Sequence, residues 1–308
     1  MARTVSLAAV VLMFGCGGGG GGPGHDGPGP HPDSDPSRPD SDPNAPDADP
    51  TAPDAMVDAV PGSWETLISA SWTLGPGQEG YWCATKTMTE DVYAHVMRPM
   101  APLGTHHTVI AIGSPSGADN PGFPCSAEFG AFWASGVNSP ALTLPDGVGL
   151  VAPAGQQLRL SLHLFNASDT TISGTSGLEI QRMDVGDVVH TATVSYNGPI
   201  TFAIPGNSTP YSATNTAGLG DRTIVAIFPH MHQLGSHFRA RILGGAGSTL
   251  WDDDYDFNAQ TFSPLPSVTI ASGQQLETQC TWINDTGSTV YWGESSTAEM
   301  CFTILMSY

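Results

Sequence analysis

The chain has 308 residues, with 9 Lys and Arg against 29 Asp and Glu and a formal net charge of -20. So few bases exclude a phosphate-tracking basic surface, and with it nucleic-acid binding and docking of the folded part on anionic lipid. A 40% hydrophobic content combined with 37 Gly and 26 Pro suits a loop-rich β protein rather than a helical one.

Residues 1–16 read as an export signal: Arg3, the apolar run from Val5 to Phe14, then Gly15 and Cys16. Ten such residues are too few to span a bilayer, which takes about 20. A cysteine after a small residue at the end of the run resembles a bacterial lipoprotein signal. It implies lipidation of Cys16 and an exported, membrane-anchored protein facing the periplasm or the cell surface. A signal-peptidase cut that discards Cys16 is the alternative. Residues 17–62 hold six successive glycines, repeats such as Pro-Asp-Ser-Asp-Pro, nine aspartates and one base, Arg38. With almost nothing apolar to bury, this stretch is expected to be a disordered tether. His25 and His31 within it are read as incidental.

Four cysteines remain, Cys83, Cys125, Cys280 and Cys301. An even number in an exported chain favours two disulfides, and of the three possible pairings sequence proximity favours Cys83–Cys125 with Cys280–Cys301.

From residue 63 onward the apolar pattern has period two. Leu158, Leu160, Leu162 and Leu164 share one face of a strand, and Arg159, Ser161 and His163 share the other. Similar runs at 108–112, 191–196, 223–228, 275–282 and 302–306 are separated by turn-rich stretches such as Ser114-Pro-Ser-Gly117. The pattern predicts an all-β chain with a break near 180–186, giving β-sandwich modules at 63–182 and 183–308.

The histidines fall into sets. His106 and His107 enter a strand just after Gly104. Adjacent strand residues face opposite ways, so a shared ligand needs a bend or bulge there. One core and one surface histidine is the plainer reading of such a pair. His163 sits on the polar face of its strand. His230 and His232 are spaced i, i+2 and so share a face of an extended segment, and Pro229 places that segment at an edge or strand end. Met231 points the other way, into packing. Trp251-Asp-Asp-Asp-Tyr-Asp256 could suggest a calcium site, but a solvated acidic loop is the better reading. His95, His190 and His237 read as bystanders.

Taken in order, His106-His107, Leu144-Pro-Asp-Gly-Val-Gly149 leading to His163, His230-Met-His232-Gln-Leu-Gly235 and Ser295-Ser-Thr-Ala-Glu-Met-Cys301 resemble the type II copper, ascorbate-dependent monooxygenases. Peptidylglycine α-hydroxylating monooxygenase and dopamine β-monooxygenase belong to that family. The resemblance implies two tandem jelly-roll-like antiparallel β-sandwich domains facing a cleft, with one copper ion in each. His106, His107 and His163 would hold the copper that stores an electron. His230, His232 and Met300 would hold the copper at which a C–H bond is hydroxylated with O2, ascorbate or another one-electron donor being the reductant. Imidazoles suit both copper oxidation states, and a soft thioether favours Cu(I). The pairing Cys280–Cys301, beside Met300, is also the family's.

Departures accompany the resemblance. Phe228 stands where peptide-amidating members carry a carboxylate-binding arginine, Phe302 and Ile304 stand where they carry an asparagine and a tyrosine, and Ser161 replaces a glutamine. The expected substrate is therefore a small apolar or aromatic molecule rather than a glycine-extended peptide. A copper-binding storage, transfer or sensing protein on the same fold is the competing expectation.

Overall fold

A computed structural model of the chain describes residues 63–126, 132–293, 295 and 297–308. The export signal, Cys16 and the tether expected over 17–62 lie outside the described residues.

The described chain is almost wholly β, with a single 3-10 turn at Val185–Asp187. A five-stranded sheet runs in the spatial order Asn120–Cys125, Glu79–Thr87, Gln157–Phe165, Thr105–Gly113, Trp133–Ser135. A four-stranded sheet runs Tyr211–Ala217, Gln275–Trp282, Gly235–Leu243, Ser248–Asp254. Pairing within both is antiparallel. A nine-stranded sheet takes strands from both ends of the chain. Its early strands end at Val148–Ala152, its late ones begin at His190–Asn197, and these two join in parallel through His190–Val148 and Ala192–Leu150.

Two cores fill the layers. The first packs Met97, Ile110, Leu160 and Leu162 together with Phe228, Phe262, Met300 and Phe302, so strands from before and after residue 183 share it. The second is built from later residues alone, among them Phe238, Ile242, Leu276, Trp282 and Leu305. The leucine face predicted from alternation is real: Leu158, Leu160, Leu162 and Leu164 are all buried. Each such side chain contributes roughly 1.5–3 kcal/mol.

Disulfides Cys83–Cys125 and Cys280–Cys301 are both formed. The second ties the Gln275–Trp282 strand to the first residue of Cys301–Ser307, and so anchors the position next to Met300.

The two Asn-x-Ser/Thr sequences, Asn166–Ser168 and Asn284–Thr286, are the same structural device in each half. Each asparagine Oδ1 accepts from the backbone N–H and the hydroxyl two residues on. Each Nδ2 donates to carbonyls of neighbouring chain, including Gly75 O and Ile204 O. The acidic stretch Asp252–Asp254 differs from expectation: it is the end of an edge strand, not a loop, and its carboxylates stay exposed.

Candidate metal centres

The His106–His107 pair sits in a β-bulge. Thr105 pairs with Leu164 and His107 with His163, which leaves His106 as one extra residue on its strand. The bulge breaks the alternation, so both rings reach the same side. Gly104 leads into it at φ +102, and a Cβ there would meet Trp72 and Ile172 at under 3 Å. The bulge that a ligand shared by the two rings would need is therefore present, in place of the plainer split into one core and one surface histidine.

The cross-strand pairing then brings His163 opposite His107. The ring centroids of His106 and His163 lie 5.2 Å apart, and those of His107 and His163 5.7 Å apart. One nitrogen from each of the three rings falls within 4.8 Å of the others. The Nδ1 atoms of His106 and His107 are 3.4 Å apart. Two ligands at about 2.0–2.1 Å from one ion, at a tetrahedral angle, stand at about that separation. His163 Nε2 donates to Glu79 Oε1 at 2.7 Å, which leaves Nδ1 as the ring nitrogen open to a ligand. Tyr81 stacks on the same ring at 4.9 Å.

His230 lies near the end of the strand Arg222–Met231. Pairing to the neighbour Ser263–Ile270 stops at Ile227, so Pro229 withholds a donor where that side has no ladder left. On the other side His230 pairs with Phe302 and Met231 with Cys301; one step further along the two strands are His232 and Met300. Phe228 and Met300 both lie in the first core, and by alternation His230 shares their face. Met231 lies on the opposite face, in the second core.

The rings of His230 and His232 are 5.3 Å apart. Nδ1 of His230 bonds Gln260 Oε1 at 2.7 Å, and Nδ1 of His232 donates to Ala298 O at 3.0 Å. In both rings it is Nε2 that keeps its lone pair.

Sequence reasoning missed the residue that holds this second set in place. Glu299 is fully buried, and its carboxylate accepts from the backbone N–H of His232 at 3.0 Å and of Leu234 at 2.7 Å, and from Trp282 Nε1 at 2.8 Å. Burial pushes its pKa up to about 7 against the pull of those donors. A glutamate in an otherwise apolar run was the available signal.

Burial also holds the imidazoles neutral. It is the leading cause in each case, depressing His230 to about 4, His107 well below its ordinary range, and His106 and His232 in the same direction. Mutual repulsion adds to it: His107 feels His106, His163, His230 and His232, so the two sets lie close enough to interact. His107 Nε2 is buried with no hydrogen-bond partner among the described residues. A buried imidazole left so poorly satisfied is uncommon unless a further interaction holds it. Neutral imidazoles with converging free nitrogens are the donor set that copper or zinc takes, so these residues fit a metal ion.

Three expected bystanders stand elsewhere: His95 against Val148 O, His190 stacked on Tyr308, and His237 beside Asp252. The apolar residues beside His230 differ from expectation. Phe228, Phe302 and Ile304 do not form an open surface; they are 3%, 6% and 4% exposed. Phe228 packs on Phe262 at 5.1 Å, and Phe262 stacks on Trp133 at 5.5 Å. The side chains at the positions where the family's substrate-binding residues stand are thus packed into the first core.

Residues 209–308 match the family model described as copper type II ascorbate-dependent monooxygenase, C-terminal domain. That span contains His230, His232 and Met300. DBH-like monooxygenase protein 1 of Mus musculus is 37% identical over 90 residues, which is 28% of this chain and 15% of that protein. The match therefore spans well under a fifth of that relative. Among solved structures, those of the infectious bursal disease virus Gx strain and of the infectious bursal disease virus VP2 subviral particle align over 80% of this chain and 71% of theirs. Identity is 10% in both, and the TM-scores of 0.18 and 0.17 are too low to bear on the fold.

Proposed function

We propose, for a chain that belongs through its residues 209–308 to the copper type II ascorbate-dependent monooxygenase family, that it is a two-copper monooxygenase acting on a small apolar or aromatic substrate. Bound copper would supply one-electron redox chemistry and the activation of O2 for insertion into a C–H bond, with ascorbate or another one-electron donor as reductant.

The observation that supports this most is the grouping of the histidines in two sets, the first of which brings three imidazole nitrogens together. In the first, His106, His107 and His163 lie within 4.8 Å of one another. This all-nitrogen set suits a centre that changes oxidation state without changing ligands. Glu79 orients His163 from behind. In the second, His230 and His232 each keep Nε2 free, and Met300 stands one step beyond the paired residues Met231 and Cys301; its thioether would favour the reduced metal. Gln260, Ala298 and Glu299 fix the two rings and their backbone, and disulfide Cys280–Cys301 fixes the strand that carries Met300. The surrounding aromatic residues exclude water, which protects a reactive site from side reactions.

The division into modules at 63–182 and 183–308 belongs to the same proposal, one metal set falling in each. So does export with lipidation at Cys16, which would hold the enzyme on a membrane facing the periplasm or the cell surface. Ascorbate-dependent oxygen consumption by copper-loaded protein tests the activity. Uptake that depends on copper, on reductant and on Met300 supports it, and none above the metal-free background contradicts it.

The burial of Phe228, Phe302 and Ile304 favours a second reading. With the substrate side packed by Phe262 and Trp133, the chain would hold copper for storage, transfer or sensing. Under it, copper binds at both sets and no oxygen is consumed.

A further inference from the structure

Between the strands Ser248–Asp254 and Ser263–Ile270 lies a loop that touches both histidine sets. Its first residue, Tyr255, grips the backbone between His230 and His232: the hydroxyl accepts from Met231 N–H at 2.9 Å and donates to Met231 O at 2.7 Å. A turn follows, with Asn258 N–H on Asp256 Oδ1 at 2.8 Å and Ala259 N–H on Asp256 O at 3.1 Å. Gln260 ends it. Its Nε2 donates to Phe257 O at 2.9 Å, and since a carbonyl can only accept, Oε1 is the end that faces His230 Nδ1.

This loop belongs to the half of the chain that carries His230, yet its tip lies on the other set. The Phe257 ring is 5.8 Å from His106 and 5.3 Å from His107, edge-on to the latter. Asn258, next to Phe257, acts on the same ring, pulling the His106 pKa up against the larger downward effect of burial. The early half of the chain grips the loop in return, Gly136 N–H donating to Gln260 O at 2.7 Å and Ser139 Oγ at 3.3 Å.

We propose that Phe257 and Asn258 are positioning residues of the His106–His107–His163 set, supplied by the later half of the chain, and that the loop Tyr255–Gln260 couples the two histidine sets. The identity of the ligand rests on the copper reading; the coupling itself is a property of the metal-free protein. Phe257 limits how far the bulged rings can swing, and Asn258 follows it at the tip of the same turn. Gln260 ties Phe257 to His230, so loosening one end loosens both. A ring held in the orientation its ligand needs binds that ligand more tightly, and losing such outer partners typically costs metal sites about 10–100-fold in affinity.

The test uses NMR of the imidazole rings in the full-length, metal-free protein, followed by copper competition titration. Phe257→Leu should remove the ring-current shift on the His106 and His107 ring protons. Gln260→Ala, which touches neither ring, should move the same resonances because the loop loses its anchor. Copper affinity of the three-histidine set should fall about 10-fold in Phe257→Leu and in Asn258→Ala. If Gln260→Ala leaves the His106 and His107 resonances where they are, the coupling is wrong. If Phe257→Leu and Asn258→Ala keep full affinity at that set, the positioning role is wrong. Should the ring shifts behave as stated while no copper binds, the coupling stands and the copper reading alone falls. Amide hydrogen exchange across residues 255–262 reads the same loosening in any variant too unstable for NMR.

Discussion

His163 and Glu79 meet at 2.7 Å between Nε2 and Oε1, and that bond decides which nitrogen of the ring is left for a ligand. With Nε2 donating, Nδ1 is the nitrogen left to meet a ligand shared with His106 and His107. Glu79→Ala frees the ring to rotate and to change tautomer. The expected outcome is a loss of about 10–100-fold in metal affinity at this set, with His230 and His232 unaffected, read by competition against a chelator of known affinity. Because the Glu79 side chain is 58% exposed, folding stability should hardly change.

Met300 is the soft donor proposed for the second set. Met300→Ile keeps the apolar volume and removes the sulfur. Ascorbate-driven oxygen uptake should disappear while the Cu(II) resonance of the three-histidine set persists in EPR. Loss of both signals together would mean that the substitution disturbs the fold rather than one ligand.

Glu299 accepts from three N–H groups, those of His232, Leu234 and the Trp282 indole. Glu299→Ala leaves them buried and unpaired, which should cost on the order of 3 kcal/mol or more. The denaturant midpoint of the metal-free protein measures it. A midpoint within error of the parent would remove Glu299 from the account of how His232 is held.

The depressed imidazoles predict an acid-sensitive apoprotein. Their folded pKa values lie below the unfolded value of about 6.5, and His230 falls to about 4. As pH drops, the unfolded chain takes up protons first. The stability in question is therefore complete above about pH 6.5 and is lost on the way down toward pH 4; His230 alone accounts for at most about 3 kcal/mol. Glu299 acts in the opposite sense, its raised pKa favouring the fold below about 4.5 and losing that effect as pH rises to about 7. Four histidines outweigh one glutamate, so the net trend is loss in acid. Denaturant midpoints between pH 8 and pH 5 read the slope, and His230→Asn should flatten it.

What the sequence made legible follows from periodicity. Leu158 to Leu164 announced their buried face by alternation, and His230 and His232 announced a shared face by their spacing. A ligand shared by His106 and His107 called for a bend or bulge that Gly104 could permit, but nothing local chose that over one core and one surface histidine. The rest depended on partners distant in the chain. Glu79 meets His163 across a strand pair 84 residues apart in sequence. Glu299 reaches back 67 residues to His232, and Phe257 comes from a loop with no periodicity to read. Phe228 was legible as apolar, but its burial was not: that is decided by Phe262 and Trp133, which no local pattern links to it.

The central claim is that five histidines and one methionine hold two copper ions for oxygen chemistry. Copper stoichiometry on protein reconstituted under reducing conditions, with oxygen uptake followed in the same sample, tests it most directly. The account predicts two copper ions per chain and ascorbate-driven uptake; fewer than two, with no uptake, would contradict it.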